Sequence, residues 1–114
     1  MEKKITYCPL DNAVKIISGK WKLFILVRLL DGPLRYGQIK VACENISEKV
    51  LTNQLRGLEQ YGIIERKIYP EVPPRVEYSI TDLGQDLMNA LNPLYNWGVK
   101  FEKTKQAIDE SNLV

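Results

Sequence analysis

Lys49, Thr52, Asn53 and Arg56 follow one another at steps of three, one and three residues, so a helix through them carries all four on one broad side. The donors and acceptors on that side suit the edges of nucleic-acid bases. An arginine fork matches O6 and N7 of guanine, and an asparagine amide matches N6 and N7 of adenine. Each good pair is worth about 1 to 3 kcal/mol of discrimination against the wrong base. Lys49 and Thr52 complete the candidate base-edge set. Ser47 and Gln54, nearer the flank, are candidates for phosphate contact. Arg35, Lys40 and Arg75 are candidates for the backbone or minor groove, positioning the protein without specifying sequence. For any one of these residues a solvated surface group is the competing reading; only the set together points to nucleic acid.

Catalysis finds little support. The chain has no histidine, which removes the commonest general base and the commonest metal ligand. No phosphate-cradling glycine loop and no paired acid–base constellation occurs. We therefore expect no catalytic residue, no metal site and no cofactor. The one other reactive group of interest is Cys8, immediately before Pro9 at an expected helix start, where the helix dipole favours a thiolate. The alternative is a small, partly buried residue kept for packing. Two cysteines without paired metal spacing make neither a disulfide framework nor a metal cluster. Cys43 is read as structural, and a bridge between Cys8 and Cys43 stays open.

The helix that must carry the reading residues is well delimited, over residues 47–61. Leu51, Leu55 and Leu58 fall in one narrow sector opposite the polar side. Ser47 is placed to cap the first turn, Glu48 complements its positive end, and Gly62 stands where a left-handed stop is cheap. Before it, Pro9 opens a first helix that ends before Gly19. Residues 20–30 form a second helix, apolar on nearly every side and so expected in the centre of the core, with Trp21 as a core residue. A buried strand competes, but eleven residues is long for one. Asp31-Gly32-Pro33 is a turn, and residues 35–43 form a short helix with Tyr36 and Ile39 inward.

Two short helices joined by a tight turn, the second with a polar outer face, match helix-turn-helix geometry. The periodicity then changes to two. Residues 63–69 and 76–80 read as strands joined by the proline-rich Pro70-Glu71-Val72-Pro73-Pro74-Arg75, which makes residues 63–80 a wing. Tyr69 and Tyr78 are expected to pack the wing strands. Thr81-Asp82 caps a closing segment, residues 82–105, in which Leu83, Leu87, Leu91, Leu94 and Phe101 recur at helical spacing. Asn92-Pro93 either kinks it or starts a separate last helix, and the tail after about residue 105 is expected to fray. The apolar edge runs beyond what a small core covers, and a second copy of the chain is the simplest cover, with folding back on its own domain the alternative.

At 114 residues the chain fits one domain, 1–114. The fold class is mainly α with a small β-wing (α+β): a winged helix-turn-helix with flanking N- and C-terminal dimerisation helices. Residues 15–75 hold eleven Lys/Arg against six Asp/Glu, and residues 76–114 hold three against six. A basic middle beside an acidic end suits one segment facing a polyanion and another facing something else. No uninterrupted apolar run of about 18 residues exists to span a membrane, and Met1–Tyr7 lacks the apolar core of a signal peptide. A reducing cytoplasm is the expected location.

In this order of elements the chain resembles the HxlR family of bacterial and archaeal transcriptional regulators, small winged-helix proteins related in architecture to the MarR group. The matching residues are Cys8-Pro9, Gly19-Lys20-Trp21, Asp31-Gly32-Pro33, Arg35-Tyr36, and Ser47 with Lys49 and Leu51-Thr52. They continue through Gln54-Leu55-Arg56, Leu58-Glu59, Gly62, Tyr69-Pro70, Val72-Pro73-Pro74, Val76-Glu77-Tyr78 and Thr81-Asp82-Leu83-Gly84 to Trp97-Gly98, so that residues 8–98 are family-like. Members often carry a Pro-Gly turn where this chain has Val41-Ala42-Cys43-Glu44-Asn45, and a longer polar residue in place of Gly57. The resemblance implies a homodimer that binds a palindromic double-stranded DNA operator and usually represses nearby genes. Some relatives sense oxidants or small electrophiles through the cysteine at the place of Cys8, whereas Cys43 lies outside the family pattern. The alternatives are a small-molecule-responsive winged-helix regulator without a thiol switch, or a winged-helix protein-interaction module.

Overall fold

Proline fixes φ and lacks the amide that a first helical turn leaves unpaired. In the computed structural model, which describes residues 8–112, Pro9 accordingly opens α1 (Pro9–Ile17) with Cys8 extended at its cap. The signal-peptide reading of Met1–Tyr7 lies outside the described residues. Ser18 Oγ donates to the Lys15 carbonyl at 2.9 Å, and Gly19, at φ +101°, turns the chain out of the helix.

The second helix, α2 (Lys22–Leu29), is shorter than expected, because Lys20 and Trp21 lie in the bend that precedes it. Ile25, Leu26 and Leu29 are buried, but Phe24, Val27 and Leu30 are 38%, 46% and 44% exposed. The helix is therefore central on one side only. Trp21, expected in the core, is half-buried and meets Phe24 edge-on at 6.0 Å between ring centroids.

A two-residue strand, β1 (Leu34–Arg35), leads straight into α3 (Tyr36–Ala42). The sequence reading missed β1, since two residues show no periodicity and their partners lie more than forty positions away. α4 (Glu48–Gln60) follows, then β2 (Ile64–Tyr69) and β3 (Arg75–Ile80). The sheet is antiparallel in the order β1-β3-β2, with Leu34 opposite Tyr78 and Arg35 opposite Glu77 on one side of β3. On its other side the register runs from Ile64 opposite Ile80 to Tyr69 opposite Arg75. This is a winged helix, mainly α with a small sheet, as the sequence implied. Arg75 belongs to the returning strand rather than to the loop before it.

The core collects Ile25, Leu26, Leu29, Ile39, Leu51, Leu55, Leu58 and Ile64, each at most 2% exposed. In the turn between α3 and α4, Glu44 takes the left-handed conformation (φ +43°), while Cys43 and Ile46 on either side are buried. α4 stops at a Schellman motif. Gly62, at φ +73°, donates its N–H to the Glu59 carbonyl at 3.0 Å, and Ile63 donates to the Leu58 carbonyl at 3.0 Å.

Thr81 closes this layer. Its N–H donates to the Ile63 carbonyl at 3.1 Å, its hydroxyl donates to the Gly62 carbonyl, and the same oxygen accepts from Gly84 N–H at 3.1 Å. A Cβ on Gly84 would collide with the Ile63 carbonyl oxygen and come within 2.9 Å of Ile80 Cγ2.

The chain divides into two compact units, residues 1–84 and 85–114. The second is made by α5 (Asp82–Ser111), one helix running through Pro93 and on past residue 105 to Ser111. Of the two outcomes expected at Pro93, a separate last helix is ruled out, and the fraying expected after about 105 is replaced by helix as far as Ser111. Its last turns are supported locally: Thr104 Oγ1 donates to the Lys100 carbonyl at 3.0 Å, and Gln106 Nε2 to Glu110 at 3.3 Å. No described helix is long and apolar enough to cross a membrane.

Three outcomes are expected. Gly57 has only Lys22 Cε near the site of an added Cβ, at 3.9 Å, an ordinary contact. Gly57→Ala should therefore stabilise the protein by about 1 kcal/mol, raising Tm by about 4 °C. Gly84→Ala should lower Tm, and an unchanged Tm would refute the close approach to Ile63. Burial pushes the Tyr78 phenol above its ordinary pKa, opposed by the nearby Arg66 guanidinium, and burial likewise raises the Cys43 thiol against the weaker pull of Arg28. Both groups are neutral below their pKa, so folded values above the unfolded ones make their contribution complete at neutral pH and lost as pH rises through them. Thermal unfolding should show Tm falling above about pH 9 to 10, with part of the loss absent in Tyr78→Phe.

Candidate nucleic-acid interface

α4 presents its polar side because its leucines are committed inward. Leu51 and Leu58 are fully buried and Leu55 is 2% exposed, which leaves Lys49, Asn53, Arg56 and Gln60 exposed along the opposite side. Ser47 fixes where the helix begins, its hydroxyl accepting from Val50 N–H at 3.1 Å. A capping hydroxyl of this kind contributes about 1 kcal/mol. Its own proton stays available to a phosphate oxygen.

The sequence-derived residues of α4 thus lie together, with two refinements. Thr52 is half-buried, and its hydroxyl lies 3.2 Å from the Tyr36 phenol oxygen, which also donates to the Glu48 carbonyl at 3.2 Å. Gln54 is half-buried too, and its Oε1 is enclosed without a hydrogen-bond partner.

The remaining candidates gather around the sheet. Arg35, exposed, caps the start of α3, its N–H donating to Gln38 Oε1 at 2.9 Å, and it stands opposite Glu77 of β3. Lys40 is half-exposed one helical turn beyond Tyr36. Arg75 is tightly held. Its Nε donates to Glu71 at 2.7 Å, its guanidinium donates to Glu77 at 3.2 Å, and it lies 4.0 Å from the Tyr69 ring centroid. The wing thus carries an arginine already satisfied by two carboxylates.

Two residues were missed as participants. Lys67 is exposed on β2 with its ammonium 4.9 Å from the Tyr69 ring centroid. The alternation Glu65, Lys67, Tyr69 on one side of a strand was a signal that would have found it. Tyr36, read only as a packing residue, reaches α4 through its phenol, which no spacing rule reveals. Between α4 and the wing, Arg66 and Glu59 form an ion pair at 3.8 Å.

An exposed basic and amide-bearing helix, seated on a short helix and followed by a cationic hairpin, is an arrangement for DNA. Comparison with known proteins agrees. The model of the HxlR-like helix-turn-helix family matches residues 16–106. The chain belongs to that family. The HTH-type transcriptional regulator YdeP of Bacillus subtilis (strain 168) is 41% identical over 103 residues, 90% of this chain and 78% of YdeP. A solved MarR-family transcriptional regulator from Enterococcus faecalis V583 is similar at 36% identity and a TM-score of 0.82, over 93% of this chain and 99% of that one. The redox regulator HypR in its oxidised form is similar at 38% identity and a TM-score of 0.73, over 82% of this chain and 96% of that one. The HxlR-like assignment makes this a DNA-binding transcriptional regulator of the helix-turn-helix type.

The wing geometry yields a test. With Glu71 and Glu77 both changed to Gln, Arg75 loses its carboxylate partners, so affinity for duplex DNA should rise and the salt dependence should steepen by about one phosphate contact. Titrations at several salt concentrations read both. An unchanged slope would mean that DNA already displaces the two acids.

Proposed function

We propose that the protein is a homodimeric repressor that binds a palindromic operator through α4, with Cys8 as its thiol switch. The observation that carries the DNA-reading part is the exposed stripe Lys49, Asn53 and Arg56 opposite the buried Leu51, Leu55 and Leu58. Arg56 and Asn53 supply the base-edge contacts, with Lys49 and Thr52 beside them. Ser47, Gln54, Arg35, Lys40 and Arg75 contact the phosphate backbone or minor groove. Two copies would set half-sites about 34 Å apart, one helical turn.

The dimer reading rests on α5. Leu94, Trp97, Phe101 and Ile108 recur at steps of three, four and seven and are each at least 50% exposed, with the rings of Trp97 and Phe101 stacked at 5.3 Å. An exposed apolar stripe of that length is characteristic of an association surface, and an isologous contact with a second copy uses the same stripe on both sides. The switch reading rests on exposure. Cys8 is exposed, whereas Cys43 is 2% exposed with its thiol pKa raised by burial, and neither is in a disulfide. An oxidant or electrophile therefore meets Cys8 first. The likeness to HypR, a redox regulator, supports the same reading. The protein works in the cytoplasm, where its thiols are kept reduced until such a signal arrives.

Binding to labelled DNA from upstream of its own gene, with and without diamide, tests the proposal. The expected result is specific binding that diamide abolishes and that Cys8→Ser retains. Neutralising Lys49 and Arg56 together should remove sequence preference, at a cost of about 1 to 3 kcal/mol for each base-edge pairing removed. Binding unaffected by diamide would discard the switch and keep the regulator. Sedimentation should give a dimer that Phe101→Asp converts to a monomer.

A further inference from the structure

We propose that Thr52 reads its base through its methyl group and not through its hydroxyl, making it a detector of thymine. The proposal rests on the assignment of α4 as the DNA-reading helix and specifies which atom of Thr52 does the reading.

The phenol oxygen of Tyr36 lies 3.2 Å from Thr52 Oγ1 and 3.2 Å from the Glu48 carbonyl oxygen. A carbonyl only accepts, so the single phenol proton goes to Glu48. The Thr52 hydroxyl must then donate its own proton to the phenol oxygen. The chain of bonds is Thr52 O–H to Tyr36 O–H to the Glu48 carbonyl, and it turns Oγ1 of Thr52 toward α3. At a staggered χ1 the methyl occupies a different well from Oγ1. Thr52 is half-exposed between Lys49, three residues before it, and Arg56, four after it. Its proton is committed, so the hydroxyl can offer a base edge only lone pairs, and these sit on an oxygen drawn toward Tyr36 of α3; the methyl is the group left to face the groove. In the major groove a methyl has one distinctive partner, the C5 methyl of thymine.

The probe is a duplex enriched by the full-length protein from a randomised pool, then rebuilt with each dT replaced in turn by dU. That change removes one methyl and leaves every hydrogen-bonding group in place. The expected result is one dU position per half-site that weakens wild-type binding about fourfold, the worth of one buried methyl. Thr52→Val, which keeps the methyl, should retain that sensitivity, and Thr52→Ser, which removes it, should abolish it. The wild-type scan alone also decides, should a variant lose stability. An enriched duplex in which no dU position matters, or Thr52→Ser retaining the sensitivity, overturns the proposal while leaving α4 as the reading helix. A pool that yields no enriched sequence overturns both.

Discussion

Three separate parts of the molecule are held by one small junction of backbone. Gly62 and Ile63 end the recognition helix by donating to its last carbonyls, and their own carbonyls then receive the hydroxyl and the N–H of Thr81. Thr81 Oγ1 in turn caps the first turn of α5 through Gly84 N–H. Both glycines are required by this geometry. Gly62 must adopt a positive φ, and Gly84 must leave space for the Ile63 carbonyl. The outcome is a fixed register: β2 leaves α4 with Ile64 opposite Ile80 and therefore Lys67 opposite Glu77. A slip of one residue would exchange the buried and exposed sides of the wing. The direction in which the strand cations Lys67 and Arg75 face is thus decided at the end of the strands far from the loop that joins them.

The cations themselves are not equivalent. Arg75 is paired with two carboxylates, Arg66 with Glu59, and Arg28 and Lys20 lie over the rings of Phe24 and Trp21. Lys49 and Arg56, by contrast, stand exposed on α4. Pairs that solvent reaches, as it does Glu71, contribute little to stability, about 0 to 1 kcal/mol, whereas Glu77 is partly buried against Arg75. In a chain with a formal charge of only +2, Lys49 and Arg56 are thus among the exposed cations for which no carboxylate partner is seen among the described residues.

Much of this was legible in the sequence wherever local physics decides it. Pro9, Ser47, Gly62 and Thr81 each did at their boundary what their backbone or side-chain chemistry dictates, and the leucine spacing of α4 identified its buried edge. Non-local effects were not legible. β1 exists only because β3 is there to pair with it, and α2 was given a wholly buried surface because composition cannot say how many sides find neighbours. Pro93 left open a kink or a separate last helix, and the helix continues through it, since the loss of one backbone bond is tolerated within a long helix. At the candidate interface, the reach of Tyr36 to α4 depends on contacts between elements and the restraint on Arg75 on its side-chain partners, and no spacing rule contains them, whereas Lys67 could have been found from strand alternation.

The two cysteines show how placement alone separates identical groups. Burial removes Cys43 from oxidants and keeps it protonated, since the thiolate is the form that burial disfavours. Cys8 stands at the surface, ahead of the first helix. A disulfide needs a second thiol, and burial makes Cys43 a poor one to reach. The natural partners for Cys8 are therefore outside its own chain: Cys8 of a second copy or a small thiol. In the first case, joining two thiols releases two protons and passes two electrons to the oxidant, and the product is a covalent tie across the proposed dimer. A bond of fixed length between two chains can alter only their relative placement. That placement sets the separation of two reading helices, and half-sites one turn apart tolerate little change in it. The proposed switch is therefore one that leaves each winged helix intact and acts on the distance between them.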